Sequence, residues 1–495
     1  MIDNFIAGSV ALFGDPFTIG IFVFGVIGGM LFGAIPGVSM LTLAAILLPF
    51  TANLEPAQGV MLFAVIYCTG TYGGAITAIL FNIPGAPENA PTAFDGYPMT
   101  RKGQSGKAVG AAVLCSAIGG ITSAIVMMAA TEPLANWAIS NIGPPEIFAL
   151  VFFGLAVASS VGGRTLWKGW MSVLLGLLIA TIGQDPVGGI NRYNFGFSDL
   201  AAGIAFVPAI LGFFAVSEIF VQAEKKAIGM YEAPKLSLDF PTILELWTHK
   251  IAVVRSILVG FFCGILPGIG ATLAAFMGYG EAVRWSKNKK SFGKGNLEGV
   301  ISSETANNAA TGAAMIPLLA LGLPGGALTA MMVAVFQMHD LEPGPLVFYN
   351  SPDLIWIVFA AMFYANLSIL FIGLLETKTI LYLLKIPFQF LAPMILLLAS
   401  IGSYIGRGLV LDVMVMFVAG IMGFLLRRSG YSIPGIVLGI ILGKIGEQNF
   451  AQGMQMVHYD LLEYLSRPIC LLLIVAGSLT LLAGIYKALS FSFKS

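Results

Sequence analysis

The chain has 495 residues, 57% of them hydrophobic and 10% charged, with a formal net charge of zero and a mean hydropathy of +0.90. Soluble domains carry about 25% charged residues, so the composition excludes a soluble enzyme, and the balanced charge excludes a polybasic surface for nucleic acid. Repeated apolar runs of roughly 17–25 residues mark an all-α polytopic membrane protein.

Asp3 and Asp15 are the only charges before the first long apolar run, and no basic n-region precedes it, so a cleaved signal peptide is not expected. Apolar sequence from Phe17 to Phe50 carries a break at Pro36-Gly37. That run is too long for one straight span and short for two. A second run, Ala57 to Phe81, ends in Asn82-Ile-Pro84-Gly85-Ala-Pro87-Glu88. A polar loop over 92–107 follows, with Arg101, Lys102 and Lys107. Spans are then expected near 108–131, 145–161, 168–183 and 200–221.

A hydrophilic linker over 222–250 divides the chain. Arg255 to Val283 holds a second break at Pro267-Gly268, followed by a basic loop with Arg284, Lys287, Lys289, Lys290 and Lys294. The segment 298–338 is expected to be interrupted twice, at Ser302–Asn308 and at Leu323-Pro324-Gly325-Gly326. Later spans fall near 354–375, 389–404, 409–426, 433–445 and 468–489. The expected total is roughly 10–12 transmembrane helices plus broken or re-entrant hairpins.

The halves share a pattern. Gly29-x-x-x-Gly33-x-x-Pro36-Gly37-x-Ser39 matches Gly260-x-x-x-Gly264-x-x-Pro267-Gly268-x-Gly270, and Pro84-Gly85 matches Pro324-Gly325 at 324 − 84 = 240. Duplication gives a first membrane repeat over 1–221, a cytoplasmic linker over 222–250, a second repeat over 251–465, and a C-terminal helix and tail over 466–495. Basic residues flank the second break and acids, Asp15 and Glu55, flank the first. Cytoplasmic loops favour Lys and Arg, so the two repeats are expected to have inverted topology. Arg192 and Arg407 fit the alternation less well.

Breaking a helix inside a membrane frees N–H and C=O groups that cost several kcal/mol each if left dry. Half-helix N-termini suit a carboxylate, and unwound carbonyls suit a cation. The substrate-binding candidates are therefore Pro36, Gly37, Ser39, Asn82, Pro84, Gly85, Gly268, Gly270, Thr272, Asn307, Asn308, Pro324, Gly325 and Gly326. Thr42, Thr71, Glu304, Thr305 and Thr311 are candidates for a coupling ion, because hydroxyl and carboxylate oxygens ligate hard cations. A packing role stands beside each of these readings, an interfacial position beside Glu304 and Glu88, and a solvated loop beside His339. The four cysteines have no ligand spacing, and no ATPase or hydrolase motif is present. No metal beyond the coupling ion is expected.

The run Tyr72-Gly-Gly-Ala-Ile-Thr77 through Asn82-Ile-Pro-Gly-Ala-Pro87-Glu88-Asn-Ala-Pro91 to Asp95-Gly96-Tyr97-Pro98 resembles the large membrane subunit of the tripartite tricarboxylate transporters. The resemblance continues through Gly33–Gly37, Gly264–Gly270, Glu304–Gly312 and Leu321–Gly326. It implies a multi-pass protein of the bacterial inner membrane that imports citrate-like or related carboxylates, working as a secondary transporter and not as an enzyme. It also implies a small membrane subunit, a periplasmic binding protein, and coupling to Na+ or H+. A stand-alone carboxylate transporter, or a polytopic membrane enzyme or scaffold, remains the alternative. A homo-oligomer is left open.

Overall fold

The computed structural model describes residues 1–35, 38–161, 165–185, 188–224, 241–266, 270–383 and 388–492. Both Pro-Gly breaks, and with them Pro36, Gly37 and Gly268, lie outside the described residues.

The first half contains α1 (Ile2–Gly14), α2 (Pro16–Ala34), α3 (Met40–Leu47) with a 3-10 turn to Asn53, α4 (Pro56–Phe81), α5 (Ala90–Arg101), α6 (Ser105–Asn141), α7 (Pro144–Val161) and α8 (Leu166–Ala180). A two-residue hairpin pairs Gly183 with Arg192. Helices α9 (Phe206–Ile210) and α10 (Ser217–Glu224) are joined by a π-helical turn over Leu211–Val216. The second half contains α11 (Ile243–Thr248), α12 (Lys250–Ile265), α13 (Gly270–Trp285), α14 (Leu297–Ala313), α15 (Met315–Leu321), α16 (Ala327–Met338) and α17 (Val347–Asn350). It closes with α18 (Pro352–Leu383), α19 (Phe388–Ile405), α20 (Val410–Arg428), α21 (Ile433–Met456), α22 (Leu461–Ser466) and α23 (Pro468–Ser492). Among the described residues, seven helices are long and apolar enough to cross a membrane, and six shorter apolar helices accompany them. The protein is an all-α polytopic membrane protein.

Two sequence expectations change. The polar stretch Ser302–Asn308 does not interrupt its segment; it lies inside the continuous helix α14. From Ser303 to Asn308 its side chains bond to neighbouring helices or to nearby groups of α14 itself, so they do not compete with the helical backbone. The break falls later, at Ala314 and again at Gly322. The expected loop over 92–107 is mostly helix α5, started by Pro91 in its first turn, where a missing N–H costs nothing.

Helices α4 and α14 form the centre. All of α4 from Gln58 to Leu80 and all of α14 from Gly299 to Ala313 is buried. A capping box between Glu55 and Gln58 starts α4, and Gln58 also donates to Thr18 Oγ1 on α2 at 3.0 Å. Asp15 caps α2 by accepting from Thr18 N and Oγ1 at 2.8 and 2.7 Å, which holds its carboxyl below the usual range. Helices α12, α20 and α23 turn apolar side chains outwards: Ile251, Val254, Leu258 and Phe262 are exposed on one face of α12. Such a face suits lipid.

Contacts of the first half recur in the second. A Cβ on Gly33 of α2 would stand 2.3 Å from Gly70 O on α4, and one on Gly264 of α12 would stand 2.6 Å from Ala310 O on α14. Asn82 and Gly322 each end their helix in the left-handed region, at φ 57° and 73°. The next residues, Ile83 and Leu323, donate their N–H to Thr77 O at 3.3 Å and Pro317 O at 3.1 Å. Other contacts are exchanged between the halves. A Cβ on Gly299 of α14 would lie 2.4 Å from Asp95 Oδ2 on α5, and one on Gly59 of α4 3.1 Å from Val335 Cγ1 on α16. Both partners move by one offset, 299 − 59 = 335 − 95 = 240.

Ion pairs tie the periphery together. Arg192 meets Glu447 at 2.5 Å, Arg467 meets Glu146 at 2.5 Å, Lys107 meets Glu245 at 2.5 Å, and Arg407 grips Asp412 with two nitrogens. Arg192 and Arg407, the two arginines that fit the charge alternation poorly, are thus each neutralised by a neighbouring acid.

Candidate functional site

The site is built where the chain loses helix next to α4 and α14. On the first-half side, α2 approaches α4 through glycine. A Cβ on Gly73 would lie 2.2 Å from Met30 O, and one on Gly85 would lie 1.9 Å from Gly33 O. Only glycine permits that approach. The Gly85 N–H reaches Gly74 O at 3.4 Å, which folds the segment after Asn82 back along its own helix. Gly85 is buried, Pro84 is half-buried and Asn82 is exposed. Ser39 is half-buried as the residue before α3, and its carbonyl accepts from Thr42 N at 2.9 Å.

On the second-half side, the first residue of α13, Gly270, has φ 60° and faces Gly325 and Gly326. A Cβ on Gly326 would stand 3.6 Å from Gly270 Cα and 3.9 Å from the Tyr67 hydroxyl. Thr272, in the first turn of α13, donates to Glu88 Oε2 at 3.4 Å. Glu88 is 5% exposed, so a buried carboxylate of the protein stands at the N-terminus of α13. That end of a helix favours negative charge. Sequence reasoning reserved the position for substrate. Pro324, Gly325 and Gly326 are buried, and the two glycines lie close to Gly270.

Between these ends runs a polar stripe. Glu304, Asn307, Asn308 and Thr311 recur at helical spacing on one face of α14 and are fully buried. Thr92 Oγ1 donates to Glu304 Oε1 at 2.5 Å and Ser116 Oγ to Oε2 at 3.0 Å. Asn307 Nδ2 donates to Glu88 O at 3.3 Å, which joins the stripe to the first-half break. Asn308 Nδ2 donates to Asn307 Oδ1 at 2.8 Å. Thr311 bonds Asn308 O at 2.8 Å and lies 3.9 Å from Cys68 Sγ.

Thr305, Thr69 and Thr71 are buried but turn elsewhere. Thr305 bonds Ile301 O at 2.7 Å, Thr69 bonds Val65 O at 2.8 Å, and Thr71 bonds Tyr67 O at 2.8 Å. Thr42 is buried on α3. His339 ends α16, half-buried near Gly59. The four cysteines are buried and free.

Sequence reasoning gave no role to Asn89, Thr92, Ser116 or Asp95. Asn89 Nδ2 donates to Thr71 O at 2.8 Å, and its side chain is fully buried beside Glu304. Asp95 Oδ1 accepts the N–H groups of Lys294, Gly295 and Asn296 at 3.1, 2.8 and 2.8 Å, while Tyr279 donates to Oδ2 at 2.9 Å. The available signal was position: Asn89, Thr92 and Asp95 all lie in the polar run directly after the Pro84-Gly85 break.

The sequence pattern of the tripartite tricarboxylate transporter TctA family matches residues 19–438. The chain belongs to that family. A 52.8 kDa protein of Agrobacterium vitis, described by its place in the TAR-I ttuC′ 3′ region, is 35% identical over 460 residues, covering 92% of this chain and 90% of the relative. A second A. vitis protein, from the TAR-II ttuC′ 3′ region, is 36% identical over 218 residues, 44% of this chain and 90% of that relative. No solved structure matches. The TctA assignment makes the polar stripe and the glycine seam parts of a transport protein.

Proposed function

We propose that the chain is the large membrane subunit of a binding-protein-dependent secondary transporter that imports citrate-like or related organic acids across the bacterial inner membrane. A small membrane subunit and a periplasmic binding protein complete the system, and a Na+ or H+ gradient drives it. The TctA family match over residues 19–438 carries this reading, and the exchanged contacts 240 residues apart, Gly299 with Asp95 and Gly59 with Val335, support its two-fold form. A pair of contacts in which each partner swaps halves is the signature of a two-fold relation.

Charge supports placing that axis in the membrane plane. The loop after α13 carries Lys287, Lys289, Lys290 and Lys294, and Lys102 reaches Lys294 O at 2.5 Å. These basic residues share one side, which the positive-inside rule makes cytoplasmic. The start of α4 lies instead against His339, beside Asp340 and Glu342. The α12–α13 hairpin then enters from the cytoplasm and the α2–α3 hairpin from outside, as in inverted-repeat transporters. Substrate carboxylates bind between the hairpin ends, at the first turn of α3, while Glu88 meets the first turn of α13. Alternating access follows when one unit carrying both hairpins moves against a static set of helices.

Uptake into proteoliposomes tests the proposal. With both subunits reconstituted, labelled carboxylate should accumulate only when the binding protein and an imposed cation gradient are present. Uptake indifferent to both sinks it.

A further inference from the structure

Glu304 is a carboxylate with no charge opposite it. It is fully buried among α5, α6 and α14, and its two oxygens accept from the neutral hydroxyls of Thr92 and Ser116. The amides of Asn89 and Asn307 lie beside it. Among the described residues, no lysine, arginine or histidine pairs with it. An ionised carboxylate removed from water costs several kcal/mol unless it is paired, and acids inside a membrane are kept for function.

The same side-chain cluster holds buried oxygens without donors. Asn89 Oδ1 and Asn308 Oδ1 have no hydrogen-bond partner, and both residues are fully buried. Neither amide gains by turning over. Asn89 Nδ2 is committed to Thr71 O at 2.8 Å, and Asn308 Nδ2 to Glu304 O at 3.0 Å and Asn307 Oδ1 at 2.8 Å. Each amide nitrogen faces carbonyl oxygens, and Asn89 Oδ1, set against Gly74 of α4, and Asn308 Oδ1 are left without a donor. Buried polar atoms in folded proteins nearly always have a partner. Water would cap the amides and leave the charge. A cation answers both.

We propose that Glu304 and Asn89, supported by Asn308, bind one monovalent cation, with Na+ as the probe. The charge count selects the valence. Asp95 is consumed by three backbone N–H groups and Tyr279, and the Glu88 carboxylate is turned towards Thr272. One carboxylate with neutral oxygens balances a single positive charge, whereas protein sites for Ca2+ gather several carboxylates. The neighbourhood also explains the link to substrate. Asn307, next to the site, holds Glu88 O at 3.3 Å, and Glu88 stands at the N-terminus of α13. The role of the site in coupling rests on the transport reading above; the site itself does not.

The purified protein in detergent, without binding protein or carboxylate, is titrated with NaCl against choline chloride at constant ionic strength. Thermal unfolding and 22Na+ binding are both read. A ligand that binds only the folded state raises the melting temperature, so Na+ should raise it and choline should not. Glu304→Gln should abolish the Na+-dependent rise and the 22Na+ signal. Asn89→Ser should weaken Na+ by about tenfold or more, the scale of losses at metal-site neighbours, which keeps the test open should Glu304→Gln fail to fold. Equal stabilisation by Na+ and choline, or an unchanged 22Na+ affinity in either variant, overturns the site. An acid group that holds only a proton would give that first result. Carboxylate uptake that ignores the Na+ gradient, in a protein that still binds 22Na+ at Glu304, fails the coupling and leaves the site standing.

Discussion

Helices α4 and α14 occupy matching places in the two halves and are built on different principles. Where α4 has Gly70, Gly73 and Gly74, α14 and the residue after it have Ala310, Ala313 and Ala314. The α4 glycines leave room for close neighbours: a Cβ would stand 2.5 Å from Met40 Cβ at Gly70, 2.2 Å from Met30 O at Gly73 and 2.1 Å from Asn89 Oδ1 at Gly74. Helix α14 keeps its alanines, takes its close approach from Gly260 and Gly264 of α12, and uses its other face for Glu304, Asn307, Asn308 and Thr311. One half closes tightly around its break through glycine. The other surrounds its break with polar side chains. Two helices in matching places carry two chemistries.

The largest expected effect comes from making the first half resemble the second. In Gly73→Ala the new Cβ would stand 2.2 Å from Met30 O, a backbone atom that cannot swing aside. Overpacking of this kind costs about 3 kcal/mol or more. The reverse exchange, Ala313→Gly, should cost about 1 kcal/mol, the helix-propensity difference. Equal losses in unfolding of the purified variants would break the distinction between the two helices.

Asp95→Ala ranks next. It removes the acceptor of three backbone N–H groups and of Tyr279, and hydrogen bonds to a charged group are worth about 1.5–3 kcal/mol each in favourable cases. Faster hydrogen exchange at Gly295 and Asn296 is expected, with no such change in Val335→Ala, which alters the matching contact on the other side. Protection unchanged in Asp95→Ala would remove Asp95 from its role.

A smaller contrast separates the two helix ends. Asn82 is exposed at φ 57°, so Asn82→Gly should change stability by less than about 1 kcal/mol. Gly322 sits at φ 73° with Pro343 O only 2.6 Å from where a Cβ would be. Gly322→Asn should therefore cost at least the roughly 1–2 kcal/mol of left-handed strain. If both exchanges prove neutral, the helix ends are interchangeable and the asymmetry stops at the central helices.

The smallest effect is at the surface. The hydrogen bond from Lys107 holds the Glu245 carboxyl below its ordinary value of 4.5. A folded-state value below the unfolded one stabilises above the unfolded value and loses that contribution as pH falls through the folded one. The melting temperature of the wild type should exceed that of Glu245→Gln slightly at neutral pH, and the gap should close below about pH 4. A gap that widens in acid would reverse the assigned sign.

Much of the architecture was legible because lipid imposes long apolar helices and because the Pro-Gly pairs recur in order. The offset of 240 between Pro84 and Pro324 also governs the contacts of Gly59, Asp95, Gly299 and Val335. Continuity through Ser302–Asn308 was not legible. Its composition resembles a loop, and the groups that satisfy Glu304, namely Thr92 and Ser116, lie 212 and 188 residues away in sequence. Helix α5 was hidden for the same reason: Asp95, Gly96 and Pro98 resemble a turn until the partners of Asp95 are seen. Local propensity describes neighbours along the chain, and these residues answer to neighbours across it.

Asp95 also sets an order in time. Its backbone partners lie 199 to 201 residues downstream, and translation proceeds at about 5–20 residues per second. The acceptor therefore leaves the ribosome roughly 10–40 s before its donors. Through that interval Asp95 lacks the donors that hold it in the finished fold, and α5 is fastened by contacts such as Thr100 to Ile79 O at 2.8 Å. Membrane insertion of the opening helices can finish early, but their final packing waits for the second half to be synthesised. A chain terminated before Lys294 would hold α5 by contacts such as that of Thr100 with α4, without the three backbone donors, however complete its own set of helices.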